Sequence, residues 1–461
     1  MKKLLSLLLT LTSLALSQTY YKGLVFDDNA YQNTPTTAKL LSRDFELLPP
    51  SASLRAYAPT VGSQGQTGTC TAWATAYGAR TILESITYNR EYSPKTDNAV
   101  FSPSYIYNQI RYDQSCRRGT VISRALTVME NQGVAKLNQF AFDCNKPITS
   151  RDRDHARAYK IKDYKTLFTL YSNNKIQPVK KALSEKKPVV IGMNTPDSFS
   201  QSSERWQPKS SDYDNPNFGG HAMVVVGYDD SKYGGSFQLM NSWGSRWGED
   251  GFTWIRYRDF KHFVKYAYEM IPNPPPQEPI RLGGELRFVD SNGNEMSATY
   301  NHTRHLYQMN RPYKSGTRFN FFIKNAQPAY LYAFGLDSVG KVSTIFPHNQ
   351  KVSAFLGYKN SSIAFPSETT HIRMDNHTGK DYFIVLYSQN KLPIDSIKSS
   401  FGSSGGSVSQ RLKAVLGSGL IGSNNIKFVN NSIKFSYSSS RGVKLKNNDS
   451  IIAVIIEFDH I

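Results

Sequence analysis

A cluster of prolines near the middle of the chain constrains the fold more than any other feature of the sequence. Five of the eight residues 272–279 are proline, and such a run forms a stiff, extended linker instead of a helix or a central strand. The chain has 461 residues, and each side of the linker is long enough for a domain of ordinary size, roughly 100–200 residues. The sequence therefore predicts two folded units, residues 47–271 and 280–461, joined by the linker 272–279.

The first unit carries helical patterns in its first half and strand-like patterns in its second. Apolar residues recur at helical spacing after the breaker-rich segment 62–68, and they predict a helix that Cys70 opens. Helices that precede strands are typical of an α+β fold and not of an alternating α/β fold. The predicted helices are residues 70–86, a helix with Ser123 as N-cap that ends at Gly133, and one that begins near Pro178 and ends before Pro188; the predicted strands are residues 189–193, 221–228 and 236–241.

Beyond the linker the pattern changes to short alternating runs that are separated by turn residues. Such runs predict an all-β domain, and their spacing favours a sandwich. Residues 400–409 are rich in serine and glycine, so we interpret them as a flexible insertion, followed by a short amphipathic helix at 410–416. The predicted strands are residues 317–323, 330–336, 341–346, 382–387 and 451–458.

The first residues have the composition of a secretory signal. Two lysines precede an apolar run, residues 4–16, that ends in small residues. We therefore expect a signal peptide at residues 1–17 and a secreted product, periplasmic or extracellular. The apolar run is too short for a stable membrane span, and no integral membrane segment is expected. Residues 18–46 are polar and lack helical periodicity, which predicts an extended N-terminal arm.

The net charge of +19 is shared almost equally between the two units. Proteins that bind nucleic acids concentrate lysine and arginine on one face, and the sequence contains no basic motif flanked by aromatic residues. We therefore expect no nucleic-acid partner. The basic surface favours anionic cell envelopes or acidic substrates through electrostatic attraction.

Three distant segments of the first unit carry residue types that occur together in nucleophilic catalysis. A single cysteine is usually a small core residue, and a single histidine usually has no catalytic role. The order and spacing of the three segments favour a catalytic site over these separate interpretations. The segments are QGQTGTCTAW at 64–73, which contains Cys70; GGHA at 219–222, which contains His221; and MNSWGSRWGEDGF at 240–252, which contains Asn241.

Together the three segments resemble the papain and cathepsin family of cysteine peptidases. In that family a glutamine precedes the catalytic cysteine by six positions, as Gln64 precedes Cys70 here. The resemblance implies a papain-like domain of two lobes, one helical and one an antiparallel β-barrel. It also implies hydrolysis of a protein or peptide substrate by an enzyme that uses no cofactor and no metal.

The expected roles of the site residues follow from the same resemblance. Cys70 would be the nucleophile, activated as a thiolate by a helix N-terminus and by the imidazolium of His221, which also serves as base. Asn241 would orient the imidazole, and the indole of Trp243 would shield their hydrogen bond from water. The Gln64 side-chain amide and the Cys70 backbone N–H would form the oxyanion hole.

Two further positions are candidates for substrate binding. Gly119 lies where the family has a glycine whose backbone aligns the substrate as a short β-strand. The alternative is a turn glycine ahead of the helix predicted at Ser123. Ala222, next to His221, is the one wall position of the substrate pocket that the resemblance carries over.

The three cysteines leave one thiol unpaired in an oxidising compartment, and their number alone does not decide which one. Thr67 stands where the family has a cysteine that bonds to a residue near Cys116, and Thr71 replaces a tryptophan. The resemblance therefore implies that Cys116 is available for Cys144. A disulfide that closes a loop of about 28 residues stabilises a protein by roughly 3–4 kcal/mol.

The expected control of the enzyme departs from the family. Secreted relatives carry a long inhibitory prosegment, whereas only the short segment 18–46 separates the predicted signal peptide from the first unit here. Control is therefore expected to depend on export, on the second domain or on a partner. Residues 286–389 resemble an uncharacterised β-rich domain found behind bacterial peptidase modules, and we hypothesise that it docks a partner or the cell envelope.

Two other functions are compatible with the same residues. One is an inactive papain-fold protein that only binds its partner, which loss of activity in Cys70→Ala would exclude. The other is a transpeptidase or ligase, in which an amine instead of water attacks the thioester. Product analysis with added amines separates this function from hydrolysis.

Overall fold

The computed structural model describes residues 20–91, 99–215, 218–274, 279–439 and 451–461. The predicted signal peptide at 1–17 and residues 275–278 of the predicted linker lie outside the described residues. Within the described ranges, no helix combines the length and the apolar character needed to cross a bilayer.

The described residues form twelve α-helices, one π-helix, several short 3-10 helices and twenty strands. The α-helices are α1 Asp28–Asn33, α2 Arg43–Glu46, α3 Cys70–Ala72, α4 Thr81–Thr87, α5 Pro103–Ile110, α6 Ile122–Asn131, α7 Ser150–Arg157, α8 Ile176–Ser184, α9 Ser210–Asp214, α10 Tyr257–Phe263, α11 Ile394–Ser403 and α12 Val408–Leu416. The strands are β1 Ser51–Ser53, β2 Ile161–Thr166, β3 Val189–Asn194, β4 Gly220–Asp229, β5 Ser236–Met240, β6 Phe252–Arg256, β7 Val264–Pro272, β8 Arg281–Asp290, β9 Ala298–Asn301, β10 Leu306–Met309, β11 Arg318–Asn325, β12 Ala329–Leu336, β13 Val342–Phe346, β14 Phe355–Leu356, β15 Ser362–Phe365, β16 Ile372–Arg373, β17 Gly379–Ser388, β18 Lys427–Phe428, β19 Lys434–Ser438 and β20 Ile451–His460.

The part of the chain before the linker has a helical lobe and a β lobe. The helical lobe is built around one buried helical segment, residues 70–87, whose middle part, Trp73–Arg80, is the π-helix. Helices α5 and α6 pack against this segment. The β lobe is an antiparallel sheet with the order β2-β7-β3-β4-β5-β6, and β1 pairs with β4. The predicted α+β class and its two-lobe form are confirmed.

The buried helical segment packs directly on strand β4. A Cβ atom at Gly78 would lie 2.8 Å from Val224 Cγ2, so this close approach requires a residue without a side chain. The contact continues to the first residue of the segment, Cys70, whose sulfur lies next to the Ala222 backbone N–H. The helix and the strand therefore meet at the predicted nucleophile.

The predicted elements of this domain are present, with one wrong cap. The predicted strands at 189–193, 221–228 and 236–241 correspond to β3, β4 and β5. Helix α6 begins at Ile122 with Val121 as N-cap, and not with Ser123. Ser123 is buried in the first turn, where its hydroxyl hydrogen-bonds to Tyr268, so it is not free to cap the helix.

The C-terminal domain consists of two sheets packed face to face. One sheet has the order β13-β12-β17-β20-β10-β9 with β14 on β12, and the other has the order β15-β11-β8-β19-β18 with β16 on β11. Aromatic residues from both sheets fill the space between them; the rings of Phe288 and Phe383 meet at 5.2 Å between centroids. The predicted β-rich, sandwich-like domain is confirmed.

Residues 400–409 are not a flexible insertion. They contain the end of α11, a short turn and the start of α12. Helix α11 buries Ile397 and Phe401, and α12 buries Val408 and Leu412. Each pair is spaced by four residues and lies on one helix face, so burial in the domain stabilises helices that the local composition does not favour.

The N-terminal arm is extended only in part. Asp27 caps α1, where its side chain accepts the Ala30 N–H at 2.8 Å, and Tyr31 of this helix is buried. On either side of α1 the arm forms isolated β-bridges at Leu24, Thr36 and Leu40.

One hydrophobic core consists only of residues before the linker. Two further cores consist of residues after it, together with Ala38, Leu40 and Ile271 from before it. Strand β7 ends at Pro272 and β8 begins at Arg281. We therefore propose that the domain boundary lies at residues 272–279.

A disulfide joins Cys116 to Cys144, whose Cα atoms are 5.9 Å apart, and Cys70 is the free cysteine. The Cys116 carbonyl accepts the Gly68 N–H at 2.8 Å. The bonded loop therefore lies beside the segment that leads into Cys70.

We expect Cys144→Ser to lower the free energy of unfolding by about 3 kcal/mol, because the unfolded chain gains the freedom of the opened loop. Denaturant unfolding of the variant and the wild type measures the difference. Wild-type protein under reducing conditions is the control and should unfold like the variant. Equal unfolding free energies with and without the disulfide would contradict this expectation.

Candidate active site

Cys70 is the first residue of α3 and begins the buried helical segment. Its side chain is completely buried. The backbone N–H groups of Gly23 and Ala222 point at its sulfur, and the Gly23 N–H donates to Sγ at 3.2 Å. Because Ala222 directly follows His221 in β4, this contact places the sulfur beside the histidine.

His221 and Asn241 come together because their strands are antiparallel. Val224 in β4 pairs with Met240 in β5, so the start of β4 meets the residue that follows β5. His221 Nε2 donates to Asn241 Oδ1 at 2.7 Å, and the Ser242 N–H donates to the same oxygen at 2.8 Å. With its proton on Nε2 the ring has Nδ1 free to accept one, and Nδ1 has no hydrogen-bond partner among the described residues.

Trp243 covers the histidine. Its indole stacks on the imidazole with ring centroids 4.6 Å apart and an angle of 25° between the planes. Trp247 and Phe199 pack against the indole at 5.3 and 5.8 Å between centroids. This apolar wall excludes water from the bond between His221 and Asn241, which strengthens it.

Gln64 is completely buried and has a fixed orientation. Its Oε1 accepts the Ser242 hydroxyl at 2.6 Å, and its Nε2 donates to the carbonyl oxygens of Thr67 at 2.7 Å and Tyr21 at 3.1 Å. Ser242 therefore points the amide N–H into the cleft. The expected site residues do not include Ser242, although its position directly after Asn241 was a signal for it.

Residues 20–24 of the arm occupy the cleft. The Tyr21 carbonyl accepts both Gln64 Nε2 and Trp243 Nε1 at 3.1 Å. The ring of Tyr20 stacks on Trp243 at 4.6 Å between centroids. The sequence pattern of the arm predicted no such role, because the apolar residues around Gly23 follow no regular period.

The arm pairs with both walls of the cleft through its backbone. On one wall the Thr120 N–H donates to Gly23 O at 2.8 Å, and the Val25 N–H donates to Thr120 O at 3.0 Å. On the other wall the Leu24 N–H donates to Gly220 O at 3.0 Å. The arm thus lies between the lobes as a short strand.

Both candidate substrate-binding residues lie in this cleft. A Cβ atom at Gly119 would lie 2.2 Å from Gly23 O, so close approach of the arm requires the glycine. The alternative, a turn glycine, does not explain this residue, because the φ angle of Gly119 is not positive and a turn here would accept other residues. Ala222 is buried in β4 with its N–H toward Cys70.

Lys22 ties the arm to the loop after β3. Its Nζ donates to Thr195 O at 2.7 Å and to Asp197 Oδ1 at 2.8 Å. The Asp197 side chain is 97% exposed, so this ion pair contributes about 0–1 kcal/mol. Burial is the largest cause that lowers the pKa of His221, and the Lys22 charge lowers it further.

Burial beneath the arm changes the acid–base state of the site. Loss of water raises the pKa of the Cys70 thiol to about 11. Loss of water also lowers the pKa of His221 to about 4, against the opposing effect of the Asn241 hydrogen bond. At pH 7 the thiol and the imidazole are therefore both uncharged, and the covered site holds no reactive thiolate.

The structure brings the predicted site residues into one cleft: Cys70, His221, Asn241, Gln64, Trp243, Gly119 and Ala222.

A separate group of side chains is close enough to share a cation: ligand atoms of Asp337, Asp375 and His377 lie within 4.8 Å of one another in the C-terminal domain. This group contains no residue of the cleft.

We expect Gly23→Ala to displace the arm, because a Cβ atom at Gly23 would lie 2.1 Å from the Gly68 carbonyl oxygen. Overpacking of this kind costs about 1–3 kcal/mol, which raises the population of the open cleft about 5- to 160-fold. The rate at which iodoacetamide alkylates Cys70, the free thiol, should rise by the same factor. Val25→Ala is the matched control, because Val25 is partly exposed and bonds to Thr120 through its backbone, which alanine keeps. Equal rates for both variants would contradict the expectation.

Two family models match the chain. Residues 48–269 match that of the papain family cysteine protease, and residues 312–391 match a domain of unknown function, DUF4384.

Curated relatives match the first of these regions. An uncharacterized peptidase C1-like protein of Acanthamoeba polyphaga mimivirus is 28% identical over 210 residues, which are 42% of this chain and 63% of that protein. Cathepsin K of Mus musculus is 26% identical over 207 residues, 43% of this chain and 56% of that protein. The chain thus covers less than two thirds of the length of these relatives.

Among solved structures, xylellain, a cysteine protease from Xylella fastidiosa, matches with 22% identity and a TM-score of 0.45, over 55% of this chain and 95% of that chain. The two family-model matches show a papain-family cysteine protease domain at residues 48–269, followed by a domain of unknown function.

Proposed function

We propose that this chain is a secreted cysteine endopeptidase that hydrolyses protein or peptide substrates through a thioester on Cys70. The observation that carries the proposal is the hydrogen bond of 2.7 Å from His221 Nε2 to Asn241 Oδ1, beside a cysteine at the start of a helix. This bond holds one proton on Nε2 and leaves Nδ1 as the base.

The reaction begins when a substrate replaces the arm in the cleft. The Cys70 thiol gives its proton to His221 Nδ1, and the sulfur attacks the scissile carbonyl carbon. The carbon–nitrogen bond breaks as the imidazolium protonates the leaving amine, and the acyl group stays on the sulfur as a thioester. Water then attacks the thioester while His221 accepts one of its protons, and the departing thiolate takes this proton back as the acid is released.

The substrate carbonyl oxygen gains negative charge in both steps, and the Gln64 amide stabilises this charge by donating a hydrogen bond. The amide already donates to a carbonyl oxygen, that of Tyr21, at 3.1 Å. Ser242 holds the amide from behind, so little reorganisation is required during the reaction. Loss of one oxyanion donor costs about 10²–10³ in rate in subtilisin.

The arm indicates how a peptide lies in the cleft. Thr120 and Gly220 offer backbone groups on opposite walls, which suits an extended main chain. A Cβ atom at Gly192 would lie 2.8 Å from Leu24 Cδ2, so a glycine makes room for this side chain. We propose that substrates place an apolar side chain of about the size of leucine in the same pocket.

The disulfide between Cys116 and Cys144 supports secretion, because such bonds persist in oxidising compartments. The docking role of the C-terminal domain stays a prediction.

A chain with Gly23→Ala should hydrolyse fluorogenic peptides, and adding Cys70→Ala should lower the turnover more than about 10³-fold, because the nucleophile is removed. Turnover across a peptide panel measures the effect. Hydrolysis that survives in the double variant would exclude Cys70 as the nucleophile. Amide products in place of acids, with added amines, would favour the transpeptidase alternative.

Asn241→Ala in the Gly23→Ala chain should lower kcat/KM roughly 10²-fold, because the imidazole loses its orientation. The hydrogen bond to Asn241 raises the pKa of His221, so removing it lowers that pKa. Proton transfer from Cys70 forms the imidazolium that protonates the leaving amine. In the variant this imidazolium loses its proton at lower pH, so the descending alkaline limb of the kcat/KM profile should move toward acid.

The matched control is Asn241→Asp, which retains an acceptor and adds a negative charge. Its alkaline limb should stay in place or move to higher pH. An alkaline limb that does not move in Asn241→Ala would show that this hydrogen bond does not support the histidine.

A further inference from the structure

The N-terminal arm is anchored at both of its ends. At one end residues 20–24 cover Cys70, His221 and Gln64, which are all completely buried. The other end, residues 34–44, lies between the two domains.

Helix α1 fixes the middle of the arm to the first domain. Tyr31 is 1% exposed, stacks on Tyr266 at 4.3 Å between centroids and donates its hydroxyl hydrogen to Phe168 O at 2.7 Å. Asp28 pairs with Lys265 at 2.8 Å. The arm therefore leaves the cleft along a fixed path.

After α1 the arm bonds to both domains at one residue. Thr36 forms β-bridges to Thr166 of the first domain and to Val352 of the second. The Thr36 N–H donates to Lys351 O, and the Ser353 N–H donates to Thr36 O, both at 2.8 Å. The arm thus acts as an extra strand at the junction of the domains.

Farther along, the arm enters the core of the C-terminal domain. Ala38 and Leu40 are each 5% exposed and belong to the hydrophobic cluster between its two sheets. Leu40 forms a β-bridge to Ile363, and the Leu41 N–H donates to Ser362 O at 3.0 Å. The C-terminal domain therefore completes its own core with residues of the arm.

Polar contacts hold the last residues of the attached segment, Ser42 and Asp44. Asp44 Oδ2 accepts the Ser362 N–H at 2.7 Å. Glu368 Oε2 accepts the Ser42 hydroxyl at 2.9 Å and the Ser42 N–H at 3.3 Å. These bonds lie at the outer end of the attachment, where a substitution leaves the core intact.

The two domains also contact each other directly. Tyr358 donates its hydroxyl hydrogen to Glu269 at 2.6 Å, and Tyr330 donates to Asp163 at 3.0 Å. Glu269 is fully buried, as is Lys165, whose Nζ lies 3.7 Å from it. Buried, paired polar groups of this kind favour one docking geometry, because any other leaves a charge without a partner.

We propose that the C-terminal domain is an inhibitory clamp: by holding residues 36–44 it keeps residues 20–24 in the cleft, and release of that hold opens the active site. The proposal names the regulation of the site described under Proposed function and rests on it. An anchored segment rebinds the cleft at a high effective concentration, because its far end cannot diffuse away. Once the anchor is lost, the arm depends on α1 and on its own cleft contacts, and it competes less well with substrate.

The test measures alkylation of Cys70 by iodoacetamide in the full-length chain, which reports opening of the cleft without any need for peptide turnover. Leu40→Asp places a charge in the core of the C-terminal domain and should expel this part of the arm. The alkylation rate should rise at least about tenfold, since a charge buried without a partner costs more than the ~1.4 kcal/mol that corresponds to a factor of ten. A rate equal to that of the wild type would overturn the clamp.

Glu368→Ala serves as a second variant that keeps the core intact, since Glu368 is exposed and contacts Ser42. It should raise the rate about two- to tenfold, the effect of losing hydrogen bonds of ordinary strength. Glu295→Ala is the matched control, an exposed glutamate of the same domain in a β-bridge with Val289. Equal rates for Glu368→Ala and Glu295→Ala would overturn the proposal.

The two proposals fail in different ways. If Cys70 of the Leu40→Asp chain is alkylated rapidly but the chain hydrolyses no peptide, the clamp proposal is supported and the peptidase proposal is excluded. If the Gly23→Ala chain hydrolyses peptides but Cys70 of the Leu40→Asp chain is alkylated at the wild-type rate, the peptidase proposal is supported and the clamp proposal is excluded.

Discussion

The contact between the buried helical segment and strand β4 decides the chemistry of the first domain. Gly78 lets the helix approach Val224 closely, and the same contact brings Cys70 to the Ala222 N–H, one residue from His221. The register of β4 with β5 then places Asn241 against the histidine. Two rigid elements and one strand register thus position groups that are far apart in the chain.

Both walls of the cleft offer backbone groups to which an extended segment can bond. In this structure the arm is that segment. It excludes water from the thiol and the imidazole, so both stay neutral. The proposed inhibition and the proposed substrate binding therefore use the same surface, and the two states differ in which segment lies between Thr120 and Gly220.

Local patterns predicted much of the first domain, because strand alternation, helix periodicity and the spacing of motif residues depend on neighbouring residues. The predictions were wrong where a distant contact overrides a local preference. Ser123 has the propensity of a cap, but its hydroxyl faces Tyr268 on a strand far along the chain. The serine- and glycine-rich residues 400–409 are partly helical, because burial of Phe401 and Val408 in the C-terminal domain stabilises helices that would be unstable alone.

By itself the sequence determined the order of the two domains and the set of side chains available for nucleophilic catalysis, since these depend on residue identity and spacing. Only the tertiary structure decided that the arm lies in the cleft and that the C-terminal domain holds it. The arm binds mainly through backbone N–H and C=O groups, which nearly every residue carries, so no sequence motif marks it. Its anchor joins Ser42 to Glu368, 326 positions apart, and a contact at that separation exists only after both domains have folded.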